Sequence, residues 1–97
     1  MFRKISWGKV HPGQWKAFEA AYRKSIDQKT IPGLKGRWLA QDVNDPDAGH
    51  SITLWENLGA LQQYEQSDLY KKVIVPACER FYGNEVTVKI SKVVATW

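Results

Sequence analysis

The chain has 97 residues, 43% hydrophobic and 25% charged, a composition typical of one small globular domain over residues 1–97 rather than of a disordered segment. No apolar run approaches the roughly 20 residues of a membrane-spanning helix, and the N-terminus lacks the apolar core of a signal peptide. Because Cys78 is the only cysteine, a disulfide framework, a thiolate zinc site and an iron–sulfur cluster are excluded. We therefore expect a cytoplasmic protein without membrane contact.

Charge and aromatic residues are unevenly distributed. Residues 1–37 carry nine Lys or Arg against two acids, a net charge of +7, whereas residues 38–97 carry −3. Such asymmetry indicates either an anionic partner or, more commonly, a solvated basic helix face. Five Trp and four Tyr in so short a chain indicate an aromatic-lined pocket, an interface, or both.

The first half of the chain predicts a strand and a helix. Phe2–Val10 is the strand, and Pro12 suits the first turn of the helix that follows. Apolar residues at spacings of three and four then predict an amphipathic helix, namely Trp15, Phe18, Tyr22 and Ile26. The helix should end near Lys29, because Ile31-Pro32-Gly33 is a breaker.

A hairpin and a second helical region come next. Leu34–Val43 and His50–Glu56 predict two strands joined by a turn over residues 44–49. Asn57 suits the N-cap of a helix, and Ser67-Asp68 suits a second cap within the same region. Inward residues there are Leu58, Leu61, Tyr64, Leu69, Val73, Ala77 and Phe81, with a kink or break expected at Pro76. The region ends at 82–84, and a last strand is predicted over Glu85–Trp97.

This βαββαβ order predicts an α+β, ferredoxin-like sandwich with a four-stranded antiparallel sheet and helices on one face. Apolar residues occur on both strand parities, with Trp38 and Trp55 opposite to Leu39 and Leu54. A sheet that is apolar on both faces needs a second cover. We therefore predict a homodimer that packs sheet against sheet.

The chain resembles the antibiotic biosynthesis monooxygenase superfamily of dimeric α+β barrels. The resemblance covers nearly the whole chain and rests on four segments, which are Val10-His11-Pro12-Gly13, Pro32-Gly33-Leu34, Ile52–Asn57 and Ala60–Tyr70. It implies that two chains pair their sheets into one barrel, and that a pocket lies between the sheet and the helices of one subunit. These segments are more specific for the fold than for the activity.

The activities that the resemblance implies are cofactor-independent oxygenation of anthrones and quinols, or haem degradation. The iron-ligating His of the haem-degrading branch would fall at Ile74 and its strand-one Asn near Ser6. Since Ile74 cannot ligate iron, the usual haem ligation is disfavoured. We expect no metal and no cofactor, because the activity that we favour is the cofactor-independent oxygenation.

Candidate site residues follow from the pocket that the resemblance implies. Cofactor-free oxygenation needs a general base or a donor aimed at a developing oxyanion. His50 and Tyr64 are the candidates for these catalytic roles, and His11 is a weaker one. We expect Trp7 and Tyr64 to meet across the gap between sheet and helices. The predicted substrate-binding residues are Trp7, Tyr64, Tyr70, Ile74 and Tyr82.

Other aromatic and polar residues receive structural interpretations. Trp38 and Trp55 are predicted to pack in the dimer barrel. Glu56 is expected to face inward and to pair with Arg37 or Arg80, because an unpaired buried carboxylate is costly. Cys78 is expected to be a small buried hydrophobe. A metal site built on two histidines would need carboxylate help, which makes it a weak hypothesis.

The functional hypothesis is monooxygenation of a small aromatic substrate of the quinol or anthrone type. One alternative is a non-enzymatic binder or sensor of a small aromatic ligand, and another is an isomerase or cyclase on the same barrel. RNA binding is disfavoured because the third strand lacks the basic-aromatic signature of the RNA-recognition module, so no nucleic acid is expected.

Overall fold

A computed structural model describes the backbone of all 97 residues and every side chain except that of Asn84. The elements in chain order are β1 (Phe2–Val10), α1 (Trp15–Ile26), β2 (Leu34–Gln41), β3 (Ala48–Trp55), α2 (Leu58–Gln66), a π-helical segment (Leu69–Ile74), α3 (Val75–Glu79) and β4 (Tyr82–Lys92). The four strands form one antiparallel sheet in the order β2-β3-β1-β4. The predicted ferredoxin-like α+β architecture is confirmed, with the second helical region divided into three pieces.

Strand pairing explains why several predicted boundaries differ. The predicted strand over Glu85–Trp97 is wrong at both ends, because β4 pairs with β1 only from Val10↔Tyr82 to Phe2↔Lys92. Beyond Lys92, the Val93 N–H still donates to the Met1 carbonyl at 2.9 Å, but no further register pair follows. In the hairpin, β2 ends at Gln41 and β3 begins at Ala48, each two residues before its predicted boundary. There the Asp42 N–H donates to the Ala48 carbonyl at 2.9 Å.

The division of the second helical region has local causes. The Asn57 side chain accepts a hydrogen bond from the Ala60 N–H at 2.8 Å and caps α2 as predicted. Ser67 ends that helix. Its hydroxyl then accepts from the Tyr70 N–H at 3.2 Å. Near Pro76, which has no N–H to donate, the chain widens into a π turn, with Val75 N–H bonded to the Tyr70 carbonyl.

The register shows which side chains share each face of the sheet. Trp55, Thr53 and Ser51 of β3 pair with Phe2, Lys4 and Ser6 of β1. Trp55 and Thr53 are buried under the helices, so these three pairs lie on the face that the helices cover, which we call the helical side. The alternate residues lie on the open side, where the large apolar ones are Ile5, Trp7, Trp38, Ile52 and Leu54.

Two hydrophobic clusters hold the helices on the sheet. One, under α1, is formed by Val10, Trp15, Phe18, Tyr22 and Cys78. The other, under α2, is formed by Trp55, Leu61, Tyr64 and Ile74. Trp55 and Leu61 are fully buried. The expectation that Trp55 packs in a dimer barrel is therefore wrong, because its side chain belongs to the core of its own chain.

Candidate functional site

A cleft of about 270 Å³ lies between the helical side of the sheet and the α-helices. Its floor is formed by polar residues of three strands, which are Lys4, Ser6, Arg37, Ser51 and Thr53. Its walls are mainly aromatic and apolar, formed by Tyr22, Tyr64, Tyr70, Ile74, Cys78, Tyr82, Val86 and Val88. A cavity near the lower end of the usual range for ligand sites suits a small molecule that carries polar groups on an apolar ring.

Arg37 is the centre of a hydrogen-bond network in this cleft. Its Nε donates to Tyr22 Oη at 2.8 Å, and its Nη2 donates to Tyr64 Oη at 3.1 Å. Tyr22 Oη also shares a hydrogen bond of 2.7 Å with Ser51 Oγ. The guanidinium carbon lies 5.3 Å from the Tyr22 ring centroid and 5.7 Å from that of Tyr64, within the range of a cation–π interaction.

The third nitrogen of Arg37 is unsatisfied. Nη1 is buried and has no hydrogen-bond partner among the described residues. Burial acts to lower the pKa of Arg37, but its contacts with Tyr22 and Tyr64 outweigh that effect and the pKa is raised. The guanidinium therefore remains protonated. A buried N–H without a partner is costly, by about 1–3 kcal/mol or more for a charged group, so a ligand oxygen that reached Nη1 would relieve that cost.

Tyr64 keeps its own proton available. Because its hydroxyl oxygen accepts from Arg37, its O–H is not used in that contact and can donate elsewhere. Burial raises the pKa of Tyr64, and the nearby Arg37 charge offsets this only in part. At neutral pH the phenol is therefore a hydrogen-bond donor rather than a base.

A second cation lies at the other side of the cleft floor. Lys4 Nζ forms an ion pair with Glu65 at 2.8 Å and donates to Tyr70 Oη at 3.4 Å. Burial lowers the pKa of Lys4, but the contacts with Glu65 and Tyr70 outweigh this, so the pKa is raised and the ammonium stays charged. Unlike Arg37, Lys4 has its counter-charge within the protein.

The aromatic wall is continuous from the core to the cleft. The ring centroids of Trp55 and Tyr64 are 4.9 Å apart, and those of Tyr64 and Tyr70 are also 4.9 Å apart. Tyr70 and Ile74 both belong to the π-helical segment, whose wider turn brings them to the cleft. Single π turns of this kind are frequent at functional sites.

The structure brings four of the predicted site residues together and separates two from them. Tyr64, Tyr70, Ile74 and Tyr82 all line the cleft. Trp7 and His50 pair with each other in register on the open side. The expected meeting of Trp7 and Tyr64 across the gap is therefore wrong. Trp7 and His50 instead border a cavity of about 20 Å³ near Trp15, which is too small for an aromatic ring.

Two further expectations have clear outcomes. Glu56 is exposed and follows the end of β3, so the predicted inward carboxylate paired with Arg37 is wrong. Arg80 instead lies over the Phe81 ring at 4.8 Å. The prediction that Cys78 is buried is confirmed, and burial raises the pKa of its thiol to about 11. A thiol of this kind is a poor nucleophile at neutral pH.

Sequence reasoning missed Arg37 and Lys4 as site residues. The signal that could have found both is a charged residue inside a strand, at a position whose side chain faces the helices. Apolar Ile5 and Trp7 made the other parity of β1 look like the core face. The register of β2 also shifts between Leu34 and Gly36, so simple alternation from Leu34 does not show which face of the sheet carries Arg37.

The described part of the chain contains no group of three or more His, Cys, Asp or Glu side chains placed to hold a metal ion. Nor does any helix among the described residues have the length and apolarity needed to cross a membrane.

The fold and the cleft define a ferredoxin-like α+β protein with a four-stranded antiparallel sheet. The family model described as antibiotic biosynthesis monooxygenase matches residues 1–75, and the chain belongs to that family. No curated protein sequence matches it significantly.

Solved structures share the fold at low identity. A conserved protein from Methanosarcina mazei Go1 has a TM-score of 0.83 and 21% identity, covering 94% of this chain and 90% of its own. A structure named antibiotic biosynthesis monooxygenase has a TM-score of 0.82 and 20% identity, with coverages of 98% and 100%. A protein from Caulobacter crescentus CB15 whose name refers to the same family has a TM-score of 0.85 and 16% identity, with coverages of 97% and 90%. At these identities the likeness establishes the fold alone.

Proposed function

We propose that this protein is a cofactor-independent monooxygenase that acts on a small aromatic substrate of the quinol or anthrone type in the helical-side cleft. The observation that carries the proposal is the Tyr64 hydroxyl, which accepts from Arg37 and keeps its proton for a ligand in an aromatic-walled cleft. Family membership supplies the class of reaction.

The chemistry requires little from the protein. An anthrone-type substrate loses a proton to give a phenolate–enolate anion, whose charge lies on oxygen and on the ring carbon. The anion transfers an electron to O₂, and recombination at the carbon gives a peroxide. Loss of water then leaves a carbonyl, so a CH₂ group and one O₂ become C=O and H₂O. All four electrons come from the substrate, which accounts for the absence of a cofactor from the scheme.

The cleft residues have distinct roles in this scheme. The Tyr64 O–H donates to the substrate oxygen and stabilises the anion as it forms, while the Arg37 charge beside it lowers the free energy of that anion. Tyr70, Ile74 and Tyr82 hold the ring and exclude water. Removal of water strengthens these electrostatic interactions, because the effective dielectric constant falls.

The proton that the substrate loses has no histidine acceptor in the cleft. His50 was the sequence candidate for that role, and it lies on the open side. The proposed scheme therefore lets bulk water or buffer take the proton from a substrate whose acidity the Arg37 charge increases. Among the lining residues, Glu79 is exposed at the rim and is the one carboxylate there.

We also propose that the protein is a homodimer that packs the open sides of two sheets together. The open side carries five large apolar residues, and Trp38 is 52% exposed there. An apolar sheet face of this extent favours a partner surface of the same kind, since a two-fold interface buries the same patch on both subunits. Each cleft then belongs to a single chain. The free thiol of Cys78 suits a reducing compartment, and we propose the cytoplasm.

A second candidate function is a non-enzymatic binder of a small aromatic ligand. It is favoured by the absence of a histidine from the lining residues of the cleft, because a binder needs no base. The same aromatic wall and the same donors would serve both functions.

Oxygen uptake distinguishes the two. Purified protein is tested with a panel of hydroquinones, dihydroxynaphthalenes and anthrones, with and without a chelator. We expect uptake above the uncatalysed rate that survives chelation. If folded protein that binds panel members showed no oxygen uptake with any of them, oxygenation would be refuted and the binding function would remain.

A further inference from the structure

We infer that the cleft is built for an aromatic ligand with a carboxylate next to a phenolic hydroxyl, and that Arg37 selects the carboxylate. This inference rests on the proposed function only in placing the ligand beside Tyr64. It names the class of ligand, which neither family membership nor the reaction scheme specifies.

The first step is the charge of Arg37. Its two hydrogen-bond partners are phenols, Tyr22 and Tyr64, rather than carboxylates. The ion pairs among the described residues use other cations, namely Lys4, Lys9, Arg23 and Lys72. A half-buried guanidinium without a counter-ion is unfavourable unless something supplies negative charge.

The second step is the position of the free donors. Arg37 Nη1 is buried and unpaired, while Nη2 of the same group lies 3.1 Å from Tyr64 Oη, whose proton is free. The two free donors therefore belong to groups in direct contact. A carboxylate and a hydroxyl on adjacent ring carbons present their oxygens at a similarly short separation. If the carboxylate pairs with the guanidinium and the hydroxyl oxygen accepts from Tyr64, both free donors gain an acceptor. The guanidinium–carboxylate pair is charge-assisted, and such hydrogen bonds are the strongest.

The third step excludes Lys4 as the selecting cation. Glu65 already neutralises it at 2.8 Å, and the side chain of Lys4 is 11% exposed. A ligand carboxylate at Lys4 would have to displace Glu65. At Arg37 there is no protein carboxylate to displace, because its hydrogen-bond partners are phenols.

The test uses wild-type protein and a matched pair of probes, 1-hydroxy-2-naphthoate and the neutral 1-hydroxy-2-naphthamide. Dissociation constants are measured by calorimetry under anaerobic conditions, so that turnover plays no part. We expect the naphthoate to bind at least tenfold more tightly than the naphthamide. Equal binding of the two probes would overturn the inference.

Variants then assign the preference to Arg37. Arg37→Gln should reduce the naphthoate-to-naphthamide ratio to near one, and Arg37→Lys should retain part of it, because charge remains while the planar fork is lost. Arg80→Gln is the matched control, since Arg80 is exposed and lies outside the cleft lining. If Arg80→Gln reduced the ratio as much as Arg37→Gln, the preference would come from net charge, and the inference would fail.

The outcomes separate this inference from the proposed function. Naphthoate preference without oxygen uptake by any panel member would support the anion site and refute oxygenation. Oxygen uptake together with equal binding of the two probes would support oxygenation and refute the carboxylate preference.

Discussion

Lys4 and Arg37 lie at one level of the sheet, each paired in register with Thr53 of the strand between them. Two cations thus flank a single buried threonine on the helical side. Charged residues are seldom placed on the core face of a strand, because their burial costs free energy. Their joint presence under the helices marks this part of the helical side as a polar site beside the hydrophobic clusters.

Removal of the Tyr64 hydroxyl tests its role as the anion donor. We expect Tyr64→Phe to lower the rate of oxygen uptake by about 100-fold, the effect typical of losing one oxyanion donor. Stability should fall by only about 1 kcal/mol, because one hydrogen bond is lost. Lys72→Gln is the control, since Lys72 is exposed and lies outside the cleft lining. A Tyr64→Phe rate equal to that of wild type would remove Tyr64 from the mechanism.

Helix α2 offers a matched pair of leucines for the core. Leu61 is fully buried and Leu58 is 37% exposed. Leu61→Ala should lower the free energy of unfolding by about 2–5 kcal/mol, and Leu58→Ala by less than about 1 kcal/mol. Urea unfolding monitored by circular dichroism measures both. Similar losses for the two variants would contradict the placement of this helix.

Two glycines separate backbone strain from steric overlap. Gly13 and Gly33 have φ angles of +77° and +80°, which side chains rarely adopt. A Cβ at Gly13 would meet nothing within 4 Å, whereas one at Gly33 would overlap the Ala60 side chain. We expect Gly13→Ala to cost about 1–2 kcal/mol from strain alone. Thermal unfolding should show a larger loss for Gly33→Ala, and the reverse order would contradict the packing of α2 on the β2 entry.

Alkaline pH should destabilise the protein through Cys78. Burial raises the pKa of its thiol from 9.0 to about 11. Between these values the unfolded chain loses the proton and the folded chain retains it. The contribution of this thiol to the free energy of unfolding is therefore fully present below pH 9. It falls as pH rises towards 11, by at most about 1.4 kcal/mol per pH unit. Above pH 10, Tyr64 and Tyr82 act in the same direction, since burial raises the pKa of each.

Cys78→Ala isolates this contribution. In urea unfolding at a series of pH values, the variant should lose less stability than wild type between pH 9 and pH 10. Parallel curves for the two proteins would show that the thiol titrates alike in the folded and unfolded states.

The open side predicts the oligomeric state. Trp38→Lys places a charge within the proposed dimer face, on the edge strand β2, and should convert a dimer into a monomer in light scattering. Val43→Lys is the matched control, because Val43 is 95% exposed and lies beyond the end of β2. Wild-type protein that is monomeric at micromolar concentration would refute the dimer.

The sequence predicted the order of elements because its signals were local. Apolar spacing defined α1, and Asn57 defined the start of α2. The end of β4 could not be predicted in this way, because it depends on where the register pairing with β1 ends.

The candidate site was predicted in part. Tyr64, Tyr70, Ile74 and Tyr82 follow from the helical pattern and the family resemblance, since one face of a helix must meet the sheet. Trp7 was assigned on the assumption that the apolar parity of β1 faces the helices, whereas His50 was chosen as one of the two histidines in the sequence. In this chain the other parity of β1, which contains Lys4 and Ser6, faces the helices. Arg37 was missed because its role depends on contacts with Tyr22 and Tyr64, which are 15 and 27 residues away in the chain.

The most direct test of the central claim is whether oxygen from O₂ is incorporated into the product. Wild-type protein is incubated with an anthrone and ¹⁸O₂ in the presence of a chelator, and the product is analysed by mass spectrometry. We predict one ¹⁸O atom in the new carbonyl, one O₂ consumed per product formed, and a rate above that of the uncatalysed reaction. Incorporation and rate no different from those of the protein-free control, with folded protein that binds the anthrone, would contradict the assignment of this cleft as an oxygenase site.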